Sequence, residues 1–263
     1  MRLTPLARWE CLTILAAGLL LTAAAAAVRL WWLVPLTVIA ALAVLAFFRD
    51  PNRRPPAQRH AWVAVADGKV TSIHDVEHCE PLGEPAVCVR VFISLLNVHV
   101  VRSPCHARLR EVVDTPGSFR NAMKAEHLED NTRATLTLEH PVREEAIAAV
   151  RLIAGAVART IHVASKTGAT LQRGERMGII KLGSTAELYV PKSANPTVTV
   201  QVGEKVRAGT SILLRLERRQ GAATVLPRTD GSPEPSGADR DEAASPEPPP
   251  VSEPADPAPQ SRS

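Results

Sequence analysis

Two long apolar runs open the chain, and a single charged residue, Arg29, separates them. The first run, residues 11–28, contains 18 residues without a charge, and the second, residues 30–48, contains 19. About 20 apolar residues are enough for a helix to cross a bilayer. The pattern therefore predicts an α-helical membrane hairpin over residues 1–48.

Positive charge at both outer ends of this hairpin predicts its orientation. Arg2 and Arg8 precede the first run, while Arg49, Arg53 and Arg54 follow the second. Because Lys and Arg flank membrane segments on the cytoplasmic side, we expect a protein of the cell membrane with its main domain in the cytoplasm. Two alternatives stay open: a hairpin that dips into the bilayer without spanning it, and a cleaved signal peptide built on the first run.

Beyond the hairpin, apolar and polar positions alternate as they do in short β-strands. Val87–Ile93 shows this alternation, Asp67-Gly68 is a strong turn signal, and Ala146–Ala158 leaves helix and strand open. A Gly-x5-Gly spacing begins at Gly168 and recurs at Gly203. Repeated turns of this kind are typical of small β-units wrapped into a barrel. We therefore expect a mainly β (α+β) soluble domain of barrel-sandwich type.

The pattern divides the chain into four segments. The hairpin at 1–48 is followed by a juxtamembrane linker at 49–59, in which prolines and charges cluster. The soluble domain is expected at 60–219. Residues 220–263 are rich in proline and acidic residues and have almost no large apolar side chain. Such a segment cannot bury enough surface to offset its ordering entropy, so we expect a disordered tail.

Composition makes two classes of partner improbable. The net charge of +4 is mild, and no Lys/Arg-rich run indicates nucleic acid. The histidines lack the mutual spacing of metal ligands, so no metal is expected.

No C-x-x-C pair occurs, and we expect reduced thiols in a cytoplasmic domain rather than a disulfide framework. The four cysteines are Cys11, Cys79, Cys88 and Cys105.

A Gly-Ser pair, Gly183 and Ser184, lies between two apolar, strand-like runs within residues 178–191. One interpretation is a tight turn. The other is chemical: the serine hydroxyl attacks the glycine carbonyl, which no side chain obstructs. The resulting ester breaks by β-elimination, and hydrolysis leaves a pyruvoyl group. Such a carbonyl can form a Schiff base with a substrate amine and accept an electron pair.

In order and spacing, several motifs resemble those of phosphatidylserine decarboxylases of the short type found in archaea and some bacteria. The resemblance covers about residues 45–217 and is carried by Phe48-Arg49-Asp50-Pro51, Ala66-Asp67-Gly68-Lys69-Val70, Asn97-Val98-His99-Val100, Arg173-Gly174-Glu175-Arg176-Met177-Gly178, Leu182-Gly183-Ser184 and Tyr189-Val190-Pro191. It implies self-cleavage between Gly183 and Ser184 into a β chain, 1–183, and an α chain, 184–263, that remain associated.

The resemblance also implies the cofactor and the substrate. The cofactor is a covalent pyruvoyl group derived from Ser184. The substrate is phosphatidylserine in the bilayer, which is converted to phosphatidylethanolamine and CO₂ through a Schiff base. A homo-oligomer is left open.

Roles for charged residues are suggested partly by this resemblance and partly by side-chain chemistry. Asp67 matches the aspartate of an Asp-His-Ser triad that serves self-cleavage in longer relatives, and His99 matches the first of their two histidines. Arg102 replaces the second, which is the triad histidine, so the base for self-cleavage stays open. We expect His99 to deliver a proton to carbon during decarboxylation. Arg102, Lys69 and Lys124 are candidates for the substrate phosphate.

Two other functions remain open at this point. A pyruvoyl decarboxylase could act on a different amino-lipid or on a soluble amino acid, although the apolar hairpin argues against a soluble substrate. A membrane-anchored carrier or binding module of barrel-sandwich type, never cleaved, would use similar turns. Lys166 is a weak candidate for the lysine of such a carrier.

Overall fold

A computed structural model gives the fold of the 263-residue chain. It describes five ranges, namely 3–58, 60–120, 125–156, 160–181 and 184–216. These residues belong to one unit, Met1–Arg219. The tail predicted at 220–263 lies outside the described residues, as do Lys124 and Gly183.

The N-terminal apolar runs form two helices. A 3₁₀ turn, Pro5–Ala7, leads into α1, Arg8–Ala27, and α2 spans Leu33–Phe47. The 23 residues from Pro5 to Ala27 are long and apolar enough to cross a membrane. α2 is shorter than its apolar run because the connection takes up residues 28–32, where Arg29 adopts a φ of +58°. Its 15 residues rise about 22 Å, less than the thickness of a bilayer core of about 30 Å.

The two helices pack closely against each other through small side chains. The hydroxyls of Thr22 and Thr37 are 3.0 Å apart. A Cβ added at Gly18 would approach the Cβ of Ala41 to 2.9 Å. Small residues that let helix backbones approach are typical of helix pairs in membranes. Most large side chains of the pair are exposed, which suits contact with lipid.

The rest of the described chain is mostly β-structure. Its strands are β1 Ala61–Val63, β2 Gly68–Cys79, β3 Glu84–Ile93, β4 Val100–Arg102, β5 Ala107–Thr115, β6 Arg133–Glu139, β7 Ala146–Ala154, β8 Ile161–Val163, β9 Thr170–Leu171, β10 Arg176–Ile180, β11 Ser184–Pro191, β12 Pro196–Val198, β13 Lys205–Val206 and β14 Ile212–Leu216. The mainly β fold class predicted from the sequence is confirmed.

These strands form three sheets in the described part of the chain. The largest has eight strands in the order β13-β2-β3-β11-β7-β6-β5-β9, and the other two are β1-β14-β12 and β4-β10-β8. β11 lies inside the large sheet, antiparallel to β3 and β7. The main hydrophobic core covers one face of β11, where Ala186, Leu188 and Val190 alternate as strand geometry requires.

A buried ion-pair network occupies the other face of β11. Glu187 is 1% exposed and accepts hydrogen bonds from Arg90 Nε at 2.7 Å and from the Tyr189 hydroxyl at 2.6 Å. Arg151 lies 3.8 Å from its second oxygen. Burial raises the pKa of Tyr189, so its hydroxyl stays protonated and keeps donating. The central strand is therefore fixed by charge on one face and by apolar packing on the other.

This network predicts a large loss of stability on truncation. We expect Glu187→Ala to lower the free energy of unfolding by about 3–5 kcal/mol, because Arg90 and Arg151 would lose their shared counter-charge. Urea unfolding in detergent, followed by circular dichroism, measures the change. The exposed Glu111 on β5 provides the control, and its replacement by alanine should stay within about 0.5 kcal/mol. Equal stabilities of the two variants would contradict a structural role for the network.

Candidate active site

Ser184 begins the central strand and is fully buried. The register pairs it with Ile93 of β3 and Ala154 of β7, and its exposure is 0%. No hydrogen-bond partner for its Oγ atom lies among the described residues. Buried hydroxyls almost always have a partner, since leaving one unpaired costs stability. A buried serine oxygen without one is therefore a candidate reactive group.

The two strands predicted around the Gly-Ser bond do form, but they belong to different sheets. β10 pairs with β4 and β8, whereas β11 pairs with β3 and β7. Residues 181–183 therefore connect two sheets, which a simple turn between paired strands would not do. Lys181, the first residue of this connection, forms a 2.5 Å ion pair with Glu10 of α1.

His99 lies beside the end of β10, close in the chain to this connection. Its carbonyl accepts a 3.1 Å hydrogen bond from the backbone N–H of Ile180, four residues before Ser184. Four extended residues span at most about 14 Å. The His99 ring also packs on Phe47 at the end of α2, with the ring centroids 4.1 Å apart. The imidazole thus contacts the helical hairpin, and the His99 backbone is bonded to the end of β10.

The surroundings of His99 set its protonation state. It is 1% exposed, and burial lowers its pKa to about 4. A hydrogen bond from the imidazole to the backbone of Asn97 and the charge of Asp67 raise the pKa by smaller amounts, while the charge of Arg49 lowers it further. The imidazole is therefore neutral at pH 7, and a neutral imidazole can accept a proton.

The carboxylate of Asp67 is held by an arginine of the linker. Arg53 binds both of its oxygens, with Nη2 2.7 Å from Oδ2 and Nη1 against Oδ1. The Ala208 N–H donates to Oδ1 at 2.8 Å. Asp67 is 7% exposed, so its charge is compensated inside the protein. Its role in self-cleavage stays a prediction, and its negative charge raises the pKa of His99 slightly.

Arg102 is also buried, and its guanidinium binds the linker. Nη2 lies 2.5 Å from Oδ1 of Asp50 and 3.1 Å from the Pro51 carbonyl, while Nη1 donates to Gly174 O at 2.9 Å. Arg176 pairs with the other oxygen of Asp50. Arg102 is only 4% exposed, so a substrate phosphate would have to displace these partners. The phosphate role of Arg102 stays a prediction.

Lys69 is exposed and lies at the same end of the large sheet as Ser184. The register aligns it with Phe92 of β3, which in turn faces Thr185 of β11. Because successive residues of a strand point to opposite faces, Lys69 and Ser184 lie on opposite faces of the sheet. Binding of the substrate phosphate by Lys69 stays a prediction, as does binding by Lys124.

Sequence reasoning missed the residues that hold the site against the hairpin. Asp50 and Arg53 were assigned to a linker, although Asp50 belongs to a motif that carries the resemblance. Ile179 of β10 packs in one apolar cluster with hairpin residues, namely Ala7, Cys11, Leu45 and Phe48. The hairpin therefore packs against β10, the strand that precedes the Gly-Ser pair in the chain. Among the described residues no three His, Cys, Asp or Glu side chains group as metal ligands would.

Comparison with known proteins adds independent information. The family model described as phosphatidylserine decarboxylase matches residues 40–214. A phosphatidylserine decarboxylase proenzyme from Rhodopirellula baltica is 38% identical over 190 residues, covering 72% of this chain and 78% of the relative. Proenzymes of the same name from Cupriavidus pinatubonensis and Salinibacter ruber are 38% and 36% identical, covering 71% and 76% of this chain and 84% and 88% of their own lengths.

Proposed function

Because the chain belongs to the phosphatidylserine decarboxylase family, we propose that it converts phosphatidylserine to phosphatidylethanolamine and CO₂ through a pyruvoyl group made from its own Ser184. The observation that supports this most is the Ser184 hydroxyl, which is buried at the start of the central strand without a partner among the described residues. An unpaired oxygen is available to attack the preceding carbonyl. The residues present therefore fit the proposed cofactor.

Self-cleavage would consume one water molecule and release one ammonia. Ser184 Oγ attacks the Gly183 carbonyl carbon, the C–N bond breaks, and the hydroxyl proton ends on the Ser184 nitrogen. A base then removes the Ser184 Cα proton, and the Gly183 carboxylate leaves from Cβ. Cβ takes up a proton as the resulting enamine becomes an imine, and water then replaces nitrogen at Cα, which leaves a methyl ketone at the start of the α chain. No other reactant is needed.

His99 is suited to accept and return protons during turnover. The amine of phosphatidylserine is an ammonium ion in water and must lose one proton before its nitrogen can attack a carbonyl. Burial keeps the His99 imidazole neutral at pH 7, and the neutral form is the one that can accept such a proton. After CO₂ leaves, the same proton can be returned to the substrate carbon. The pyruvoyl group supplies the electron sink for the pair left behind by CO₂.

The membrane hairpin would keep the enzyme at its substrate. Phe47, at the end of α2, contacts His99, so the site is next to the point where the chain leaves the apolar helices. The acyl chains of the lipid can then remain in the bilayer while the headgroup reaches the site. The arginines at both ends of the hairpin support a cytoplasmic catalytic domain. Holding enzyme and substrate in one plane removes a search through bulk water.

Mass spectrometry of the purified chain tests this proposal. Denaturing electrophoresis should show two fragments, residues 1–183 and residues 184–263. The smaller one should be lighter than a chain beginning with serine by the mass of one ammonia, and borohydride should reduce its terminal carbonyl. Vesicles containing phosphatidylserine should yield phosphatidylethanolamine. A single full-length band without a reactive carbonyl would support the uncleaved carrier instead.

A further inference from the structure

An exposed pair of leucines forms a turn between β3 and β4. Leu95 is 50% exposed and Leu96 is 84% exposed. The turn is well ordered by its own side chains, because Asn97 Oδ1 accepts hydrogen bonds from the Ser94 N–H at 2.9 Å and from the Ser94 hydroxyl at 2.6 Å. Single exposed apolar side chains are ordinary, but two adjacent leucines at the tip of a fixed turn present a continuous apolar surface to solvent.

This turn lies at the end of the hairpin from which the soluble domain emerges. The guanidinium of Arg49 donates to Ala46 O at 2.9 Å and also to the carbonyl of Leu96. Arg49 comes two residues after the end of α2, so one side chain joins the turn to the helix end. Trp9, near the start of α1, is 68% exposed, and aromatic residues of this kind concentrate at membrane–water interfaces. The leucine tip is thus at the level where an interface would lie.

The charges nearby suit an anionic membrane surface. Arg8 at the start of α1 and Arg54, seven residues after the end of α2, are exposed, and Arg49 is half-buried beside the turn. Basic side chains next to an apolar surface are attracted to anionic lipid headgroups. Phosphatidylserine is such a lipid. Apolar and electrostatic contributions therefore favour the same partner.

We propose that Leu95 and Leu96 insert into a phosphatidylserine-containing bilayer and thereby set the active site against the headgroup layer. Both flanks of the turn lead to reactive residues: Ile93, just before it, pairs with Ser184, and His99 follows two residues after Asn97. Insertion of the tip would fix the height of this site above the lipids. This inference rests on the proposed function, which supplies the lipid substrate.

Site-directed fluorescence in the full-length protein tests the insertion. We would label Leu96→Cys with an environment-sensitive dye and reconstitute it in vesicles with and without lipids carrying acyl-chain bromines. Strong quenching and a blue-shifted emission at position 96 are expected. Val142→Cys is the matched control, because Val142 is 83% exposed on the β6–β7 turn. That turn lies at the other end of β7 from Ala154, about 26 Å away from the Ser184 end.

The native cysteines will add little background, since all four are buried. Equal and weak quenching at positions 96 and 142 would overturn the proposal. This outcome is independent of the proposed function, because the same samples can be checked for cleavage into two chains. Cleaved, active protein without quenching at 96 would refute only the membrane-inserting tip, whereas absence of cleavage in the unsubstituted protein would refute the proposed function.

A kinetic measurement provides the second test. For Leu95→Ser/Leu96→Ser we expect the ratio of rates on vesicle phosphatidylserine and on a water-soluble, short-chain phosphatidylserine to fall by about tenfold or more, because burial of two leucines in lipid is lost. Val142→Ser should leave this ratio unchanged. Complete self-cleavage of the double variant would show that its domain is folded. An unchanged ratio in folded, cleaved protein would contradict the proposal.

Discussion

Ser184→Ala is expected to leave the chain in one piece and to lower decarboxylation by more than about 10⁴-fold, to the background of the assay. Alanine has no hydroxyl to attack the Gly183 carbonyl, so no new N-terminus and no carbonyl cofactor can form. Denaturing electrophoresis measures the cleavage, and mass spectrometry of the lipids measures phosphatidylethanolamine. The variant should keep its stability within about 1 kcal/mol, because the lost oxygen makes no hydrogen bond to a described residue.

Ser103 provides a matched control for this variant. Both serines are 0% exposed, but the Ser103 hydroxyl donates to Cys105 O at 2.8 Å. We expect Ser103→Ala to lose about 1 kcal/mol of stability and still to cut itself. Ser184→Ala should therefore abolish cleavage with little change in stability, whereas Ser103→Ala should lower stability and still allow cleavage. Normal production of phosphatidylethanolamine by Ser184→Ala would remove the basis of the proposed function.

Local patterns in the sequence were sufficient to predict the two helices and the strands in which apolar and polar residues alternate clearly. Val87–Ile93 was predicted as a strand and lies within β3, because alternation over a few residues reports which side chains face the core. For Ala146–Ala158 both helix and strand remained possible, because a continuous apolar run has no periodicity. The first nine residues of this segment form β7. The apolar run at 30–48 predicts a helix that begins too early, since α2 begins at Leu33. Hydropathy alone does not reveal the turn around Arg29.

The sequence alone does not predict which charged residues pair with partners far away in the chain. Arg102 and Asp67 are charged residues in suggestive motifs, and charge alone does not distinguish a substrate-binding group from half of a buried ion pair. Their partners, Asp50 and Arg53, were assigned to a linker. Only the fold brings the two segments together. Ser184 was predicted as reactive from a motif, but the burial of its oxygen away from any partner among the described residues is a property of the sheet.

His99→Gln is expected to slow self-cleavage, turnover or both by about 10²-fold or more, because glutamine cannot accept and return a proton. Cleavage is measured first, by electrophoresis over time after synthesis. Turnover is then measured on whatever fraction of the variant has been cleaved and carries the carbonyl. His106→Gln provides the control, because His106 is exposed and should not affect either step. Cleavage and turnover of His99→Gln at normal rates would remove His99 from the mechanism.

The pH dependence of stability tests the same residue in a different way. The pKa of His99 is about 4 in the folded protein, against about 6.5 for an ordinary histidine. Above pH 6.5 the imidazole is neutral in both the folded and the unfolded chain, so it makes no difference there. Between pH 6.5 and pH 4 the unfolded chain binds the proton more readily, so the folded state loses stability as the pH falls. The loss attributable to His99 should approach the order of 3 kcal/mol near pH 4.

Unfolding of wild-type and His99→Gln protein across this range isolates the contribution of His99. We expect the two stabilities to run parallel above pH 6.5 and the wild type to fall more steeply below it, since glutamine does not titrate. His106→Gln, which replaces an exposed histidine, is measured alongside as the control. The same low pKa also makes a prediction for kcat/KM. If the wild type shows an inflection near pH 6.5, that inflection should persist in His99→Gln, because His99 does not cause it. Loss of the inflection in His99→Gln would mean that His99 is protonated as an ordinary exposed histidine is. The burial on which its proposed proton-accepting role depends would then be absent from the working enzyme.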